Sequence, residues 1–197
     1  PALHRIAEVN ECVEHILGPN AFQQRPELVQ DYGFSTSVTH LVRTPFEATI
    51  DSGKLVHAMW QMAQKAGADI RTGARISAIN NHHDGVELKV VTESETLFFQ
   101  AGEVIVATNA WIPELVESPE MPEIVPGRGQ VLVTKPLAGL QLKGSFHFDE
   151  GYYYFRRLGN RVLLGGGRNL DFEGERTTEH SITTNIQSAL ETMLRTV

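Results

Sequence analysis

A chain of 197 residues with 41% hydrophobic content is long enough to bury a core, as one domain or as two small ones. Its formal net charge of -7 argues against nucleic acid as a partner. No apolar run approaches the roughly 18 residues that a membrane-spanning helix needs, and no signal-peptide pattern is present, so no integral membrane segment is expected.

The chain begins at Pro1 and enters a helical stripe of Leu3, Ile6, Val9, Val13, Ile16 and Leu17 that Gly18-Pro19 ends. The single cysteine, Cys12, lies within that stripe and reads as a small buried hydrophobe. It excludes an intramolecular disulfide and points to a reducing cytoplasm. Pro26 opens a short helical turn that ends near Gly33. Extended pieces are expected at 37–42 and 46–50, split by Thr44-Pro45.

Asp51 is placed to cap a helix bearing Leu55, Val56, Met59, Trp60, Met62, Ala63 and Ala66, with Gly67 as its stop. An extended segment is expected from Ala68 to Ile79. Two alternating runs follow, 86–91 and 96–100, with turns at 81–85 and 93–95. The adjacent His82 and His83 fall in a hairpin turn where their side chains diverge, and no third ligand at zinc spacing accompanies them. A solvated loop, with no metal, is the expectation.

Val104-Ile105-Val106-Ala107 is four consecutive apolar residues without alternation, the pattern of a parallel strand buried on both faces. Its carboxyl end opens into Thr108, Asn109 and Ala110. Ligands bind at such strand ends in open α/β sheets, because backbone is exposed there and small side chains permit close approach. Trp111 follows, placed to close over whatever binds. Prolines 113, 119, 122 and 126, interspersed with glutamates, mark 112–126 as an exposed crossover.

The remainder reads as an antiparallel meander with strands at 130–134, 145–149, 152–157 and 161–165, then a helix from near Thr178. Strand alternation places Tyr152, Tyr154 and Arg156 on one face. That helix runs to Val197 without a stop signal, which suggests a piece of a longer protein. No Gly-x-Gly-x-x-Gly opens a helix anywhere. Gly127-Arg128-Gly129 leads into a strand, and Gly165-Gly166-Gly167 ends one. No Gly-x-Ser-x-Gly elbow or Ser/His/Asp arrangement appears, which removes the commonest hydrolase readings.

The order of helix, strand, antiparallel excursion and buried strand resembles FAD-dependent oxidoreductases of the D-amino-acid-oxidase family, which contains glycine, sarcosine and gamma-glutamylputrescine oxidases. The resemblance rests on Gly73-Ala74-Arg75-Ile76-Ser77-Ala78-Ile79 and on Val104 through Trp111. It also rests on Gly127-Arg128-Gly129-Gln130 and on the Gly151 to Gly167 hairpin. Two departures show: Ile76 stands where valine is usual, and Asn109 where glycine is usual. Arg128 either orients a carboxylate or pins two layers together, the second being the preferred reading.

The resemblance implies an α+β (mixed α/β) fold: a partial FAD-binding layer with a parallel strand, plus an antiparallel-sheet substrate domain covered by helices. The expected division is 1–50 as the helical and hairpin part of the substrate domain, 51–111 as a partial FAD-binding domain, and 112–197 as the antiparallel substrate domain. The cofactor is FAD, contacted by Ile76, Ala107, Thr108, Asn109 and Trp111. Tyr152, Tyr154 and Arg156 meet the substrate, a small amine or amino acid, and no catalytic residue is singled out. The implied reaction is hydride transfer from a C–N-bearing carbon to the flavin, in a parent protein whose remainder supplies the pyrophosphate cradle. The alternatives are a non-catalytic ligand-binding or assembly module that keeps the fold, and an FAD protein of tRNA or cofactor maturation.

Overall fold

In the computed structural model residues 3–116 and 123–197 are described. The chain divides into two units. One comprises Pro1–Ile50, Gly129–Glu175 and His180–Val197; the other comprises Asp51–Arg128 and Arg176–Glu179.

The first unit is built on a four-stranded antiparallel sheet. Its strands are β6 (Val131–Val133), β7 (Ser145–Phe148), β8 (Tyr153–Leu158) and β9 (Arg161–Gly166), in the order β6-β9-β8-β7. Side chains alternate between faces, so register fixes which residues share a face. Leu132, Val162, Leu164, Tyr153, Phe155, Phe146 and Phe148 point to the side covered by α5 (Thr184–Thr196). There Ile186 and Leu190 of α5 and Leu164 of β9 are the most deeply buried apolar side chains. Phe146 stacks on Phe155 at 4.9 Å, and Phe34 meets Phe146 edge-on at 5.1 Å. Such aromatic pairs add about 0.5–1.5 kcal/mol beyond area burial.

The helix expected near Thr178 starts later, with Thr183 as its cap. Gln130, itself buried, fixes that start: its Oε1 accepts the Thr183 amide at 3.0 Å and its Nε2 donates to the Thr183 hydroxyl at 2.8 Å. The same Nε2 donates to the buried Glu175 carboxylate at 2.9 Å.

Helix α1 spans Ile6–Leu17 after a 3-10 turn at Leu3–Arg5. Ile6, Asn10, Val13 and Leu17 form its half-buried face, with Asn10 paired to the backbone of Phe22 in both directions. Cys12 lies off that face and is exposed, not buried as its place in the stripe suggested. The helical turn after Pro26 is α2 (Leu28–Asp31). Of the extended pieces expected at 37–42 and 46–50, only Val42–Arg43 (β2) pairs, antiparallel to Gln23–Gln24 (β1). Residues 35–38 instead turn back: the Ser35 and Ser37 hydroxyls both donate to the Thr196 carbonyl at the end of α5, and the Val38 amide to the Ser35 carbonyl. This satisfies a carbonyl that a helix end leaves open.

In the second unit, α3 (Ser52–Lys65) follows Asp51, whose carboxylate accepts the Lys54 amide at 3.0 Å. The three-stranded meander β3 (Arg75–His82), β4 (Gly85–Val91) and β5 (Thr96–Ala101) comes next, antiparallel throughout. The extension expected from Ala68 begins only at Arg75, because Gly73 takes φ 68° and breaks the run just before it. Residues 109–111 form a 3-10 turn that runs into α4 (Ile112–Leu115).

The parallel strand expected at Val104–Ala107 does not form. The segment keeps a strand's alternation, with Val104, Val106 and Thr108 half-buried and Ile105 92% exposed, but it is paired with no strand. A parallel strand needs a neighbour to complete its ladder, and every strand pair among the described residues is antiparallel. The α+β class stands without it. Residues 117–122 of the crossover expected at 112–126 lie outside the described residues; its start is the helical α4. No helix among the described residues is long and apolar enough to cross a membrane.

Candidate functional site

The expected site residues form two groups, one in each unit. In the second unit the group centres on the turn after the unpaired segment. Thr108 leaves the extended run at φ -89°, ψ 11°, and its carbonyl accepts the Trp111 amide at 3.1 Å. Its hydroxyl oxygen is buried and has no hydrogen-bond partner. A buried hydroxyl left unmatched costs about 1–3 kcal/mol.

Asn109 adopts φ 50°. This left-handed conformation is open to glycine without strain and tolerated next best by asparagine, which accounts for asparagine at a position where glycine is usual. Ala107 and Trp111 are exposed. Ile76 is half-buried at the start of β3, pairing with Val90 just before a register shift. Helix α4 lies against β3, and Arg75 Nη2 donates to Glu114 at 3.3 Å. The turn at 109–111 and the strand carrying Ile76 therefore share one neighbourhood. That ion pair is exposed and contributes little by itself.

Arg128 is half-buried and donates from Nη1 to the Glu179 carbonyl at 3.4 Å, a tie between chain segments. Among the described residues no group of three His, Cys, Asp or Glu side chains is placed to hold a metal ion.

In the first unit the group lies on the face of the sheet turned away from α5. Register sets it out in rows: Val131, Gly165, Tyr154 and His147 in one, and Val133, Leu163, Arg156 and Ser145 in the next. The Tyr154 ring lies across Gly165, where a Cβ would sit 2.5 Å from the ring's Cζ and Oη and 2.7 Å from Val131 Cγ1. Only the bare glycine lets the ring lie flat there. Val131, Val133, Tyr154 and Leu158 are all exposed on this face, an apolar and aromatic floor beside the half-buried Arg156.

Tyr152 does not join Tyr154 and Arg156 in the alternation. It precedes β8 at φ -65°, ψ -21°, a helical conformation imposed by the tight turn at Asp149–Gly151, and meets Phe172 edge-on at 6.1 Å. Tyr153, on the α5 side, stacks on Phe148 at 4.9 Å. Burial, and then the charge of Asp149, raise its phenol above the ordinary tyrosine value.

One cluster escaped the sequence reading. Past Gly167, Arg168–Leu170 form a 3-10 turn, and the Arg168 guanidinium lies over the Phe172 ring at 5.7 Å. The signal was the triple glycine at a strand end followed at once by Arg-Asn.

The model of the family described as FAD dependent oxidoreductase (DAO) matches residues 2–196. The Bifunctional protein ThiO/ThiG of Synechocystis sp. is 27% identical over 139 residues, which is 68% of this chain and 20% of that protein. The protein of the same name from Trichormus variabilis is 25% identical over 155 residues, 77% of this chain and 22% of that protein. The chain thus spans about a fifth of the length of these curated relatives.

Proposed function

Because the chain belongs to the DAO family of FAD-dependent oxidoreductases, we propose that its protein oxidises a C–N bond of a small amine or amino acid by hydride transfer to FAD. Bound FAD supplies the hydride acceptor; the protein holds the reacting carbon and excludes water.

The residues of the second unit fit a share in holding the cofactor. The unmatched Thr108 hydroxyl offers a hydrogen bond to a polar group of FAD. The left-handed Asn109 turns the backbone so that main-chain groups meet the ligand, with Ala107 small beside it. Ile76 and Trp111 contribute apolar contact on either side. In this reading 51–111 is the FAD-binding part, while 1–50 and 112–197 handle the substrate.

The observation that carries the substrate side is the outer face of the β6–β9 sheet. Tyr154 is laid over Gly165 and is itself exposed, with Arg156 in the adjoining row. An aromatic wall with a cation suits a small amine or amino acid. Tyr154 would orient it, and Tyr152 would extend the wall from the turn before β8.

The test is anaerobic mixing of the full-length holoprotein with a panel of α-amino acids and of primary and secondary amines. Bleaching of the flavin's visible absorbance by at least one of them is the expected result. A flavin that dithionite bleaches and no panel member does would overturn the proposal.

A further inference from the structure

Two glycines adjoin at the end of β9, and the backbone needs only one of them. Gly166 has φ 126° and main-chain atoms where a Cβ would go. Gly165 lies outside the left-handed region and pairs in regular register with Val131 on one side and Tyr154 on the other. A residue with a side chain can adopt that backbone, and in a strand interior glycine is less stable than alanine. Glycine within a strand marks a close approach by something else. Here the approaching atoms all belong to side chains: a Cβ would lie 2.5 Å from Tyr154 Cζ and Oη and 2.7 Å from Val131 Cγ1. The room left at 165 is therefore taken by the tip of the Tyr154 ring.

Packing alone returns little for that room. Gly165 is buried, but Tyr154 above it stays 37% exposed and Val131 45%. The core under α5 lies on the other side of the sheet. The Tyr154 hydroxyl, set over Gly165, hydrogen-bonds to no described residue, so it remains available to a ligand. On its other flank the ring neighbours His147 of β7, at 6.4 Å between centroids. A side chain at 165 would make the ring stand up from the sheet or lean toward His147, and either movement carries the hydroxyl off β9.

We infer that Gly165 is a positioning residue for the proposed oxidation: by lacking a side chain it lays Tyr154 over β9 and sets where the phenol hydroxyl meets a polar group of the substrate. This rests on the oxidase reading above and adds to it the residue that places Tyr154.

The full-length enzyme is assayed with a panel compound that bleaches its flavin. Gly165→Ala should lower kcat/KM about 2- to 12-fold, the effect of losing one hydrogen bond to a neutral group. In a Tyr154→Ala background the same substitution should change kcat/KM by less than about 2-fold, because no ring remains for the Cβ to displace. An equal loss in both backgrounds, or no loss in the first, overturns the assignment. A second arm needs no turnover. In protein labelled with 3-fluorotyrosine, the fluorine resonance that Tyr154→Phe deletes should move in Gly165→Ala while the other tyrosine resonances stay. A Tyr154 resonance that Gly165→Ala leaves in place overturns the assignment as well. If no panel compound is oxidised, the oxidase reading fails, and the fluorine spectrum alone decides whether Gly165 sets the ring.

Discussion

Alanine at Gly166 and at Gly165 should behave very differently, although the two residues adjoin on β9. At Gly166 the backbone has φ 126°, and an added Cβ would lie 2.0 Å from the Tyr152 carbonyl oxygen and 2.7 Å from the Tyr153 Cα. These are main-chain atoms held by the β8–β9 ladder, in which Tyr153 pairs with Gly166. Relief therefore requires the strands to part. Strain at such a φ costs about 1–3 kcal/mol, and forcing atoms into packed surroundings typically a further 1–3 kcal/mol. Gly166→Ala should then lose about 2–6 kcal/mol, a large share of the 5–15 kcal/mol of a typical domain. At Gly165 the obstacles are the Tyr154 ring and Val131 Cγ1, side chains on the open face that can swing away. Gly165→Ala should cost no more than about 1 kcal/mol, the gain from replacing a strand glycine offsetting lost ring packing. Urea denaturation measures both: at about 2 kcal/mol per molar, Gly166→Ala should lower the midpoint by roughly 1–3 M without changing the slope. Equal midpoints for the two variants would refute the account of how closely β8 approaches β9.

Leu190→Ala removes a fully buried side chain of α5 and should cost about 2–5 kcal/mol by calorimetry or urea melt, far more than truncating the exposed Leu158. Tyr153 has its pKa raised in the folded state, so the stability it contributes is whole below about pH 10 and is lost as pH rises through its folded value. Stability measured across alkaline pH should fall more steeply in the wild type than in Tyr153→Phe. Tyr154→Phe in the full-length enzyme should change turnover or KM roughly 2- to 12-fold with flavin content normal; unchanged kinetics would leave Tyr154 a packing residue.

The elements that the sequence made legible are those whose cause is local. Asp51 capping α3, the β4 and β5 runs and the β8–β9 hairpin depend on near neighbours, and their boundaries fall close to expectation. Where the outcome depends on distant partners the pattern alone misleads. Val104–Ala107 carries a buried strand's composition yet has no ladder to enter. Ser35 and Ser37 turn because the end of α5, more than a hundred residues away, takes their hydroxyls. Tyr152 drops out of the alternation because the turn at Asp149–Gly151 holds it in a helical conformation. At the candidate site, the family pattern picks out the residues around Thr108, but the unmatched hydroxyl is not visible without coordinates, since it concerns a partner that is missing.

The dependence of the β6–β9 sheet on α5 also sets an order for folding during synthesis. The strands are complete once Gly166 is made, yet the helix that covers their apolar face ends at Thr196, about thirty residues later. At translation speeds of roughly 5–20 residues per second, that face stays uncovered for about 2–6 s. Leu132, Val162 and Leu164, on the two strands α5 packs against, are open to a chaperone throughout that interval. Slower translation between 167 and 183 would lengthen it, and with it the opportunity for nascent chains to associate.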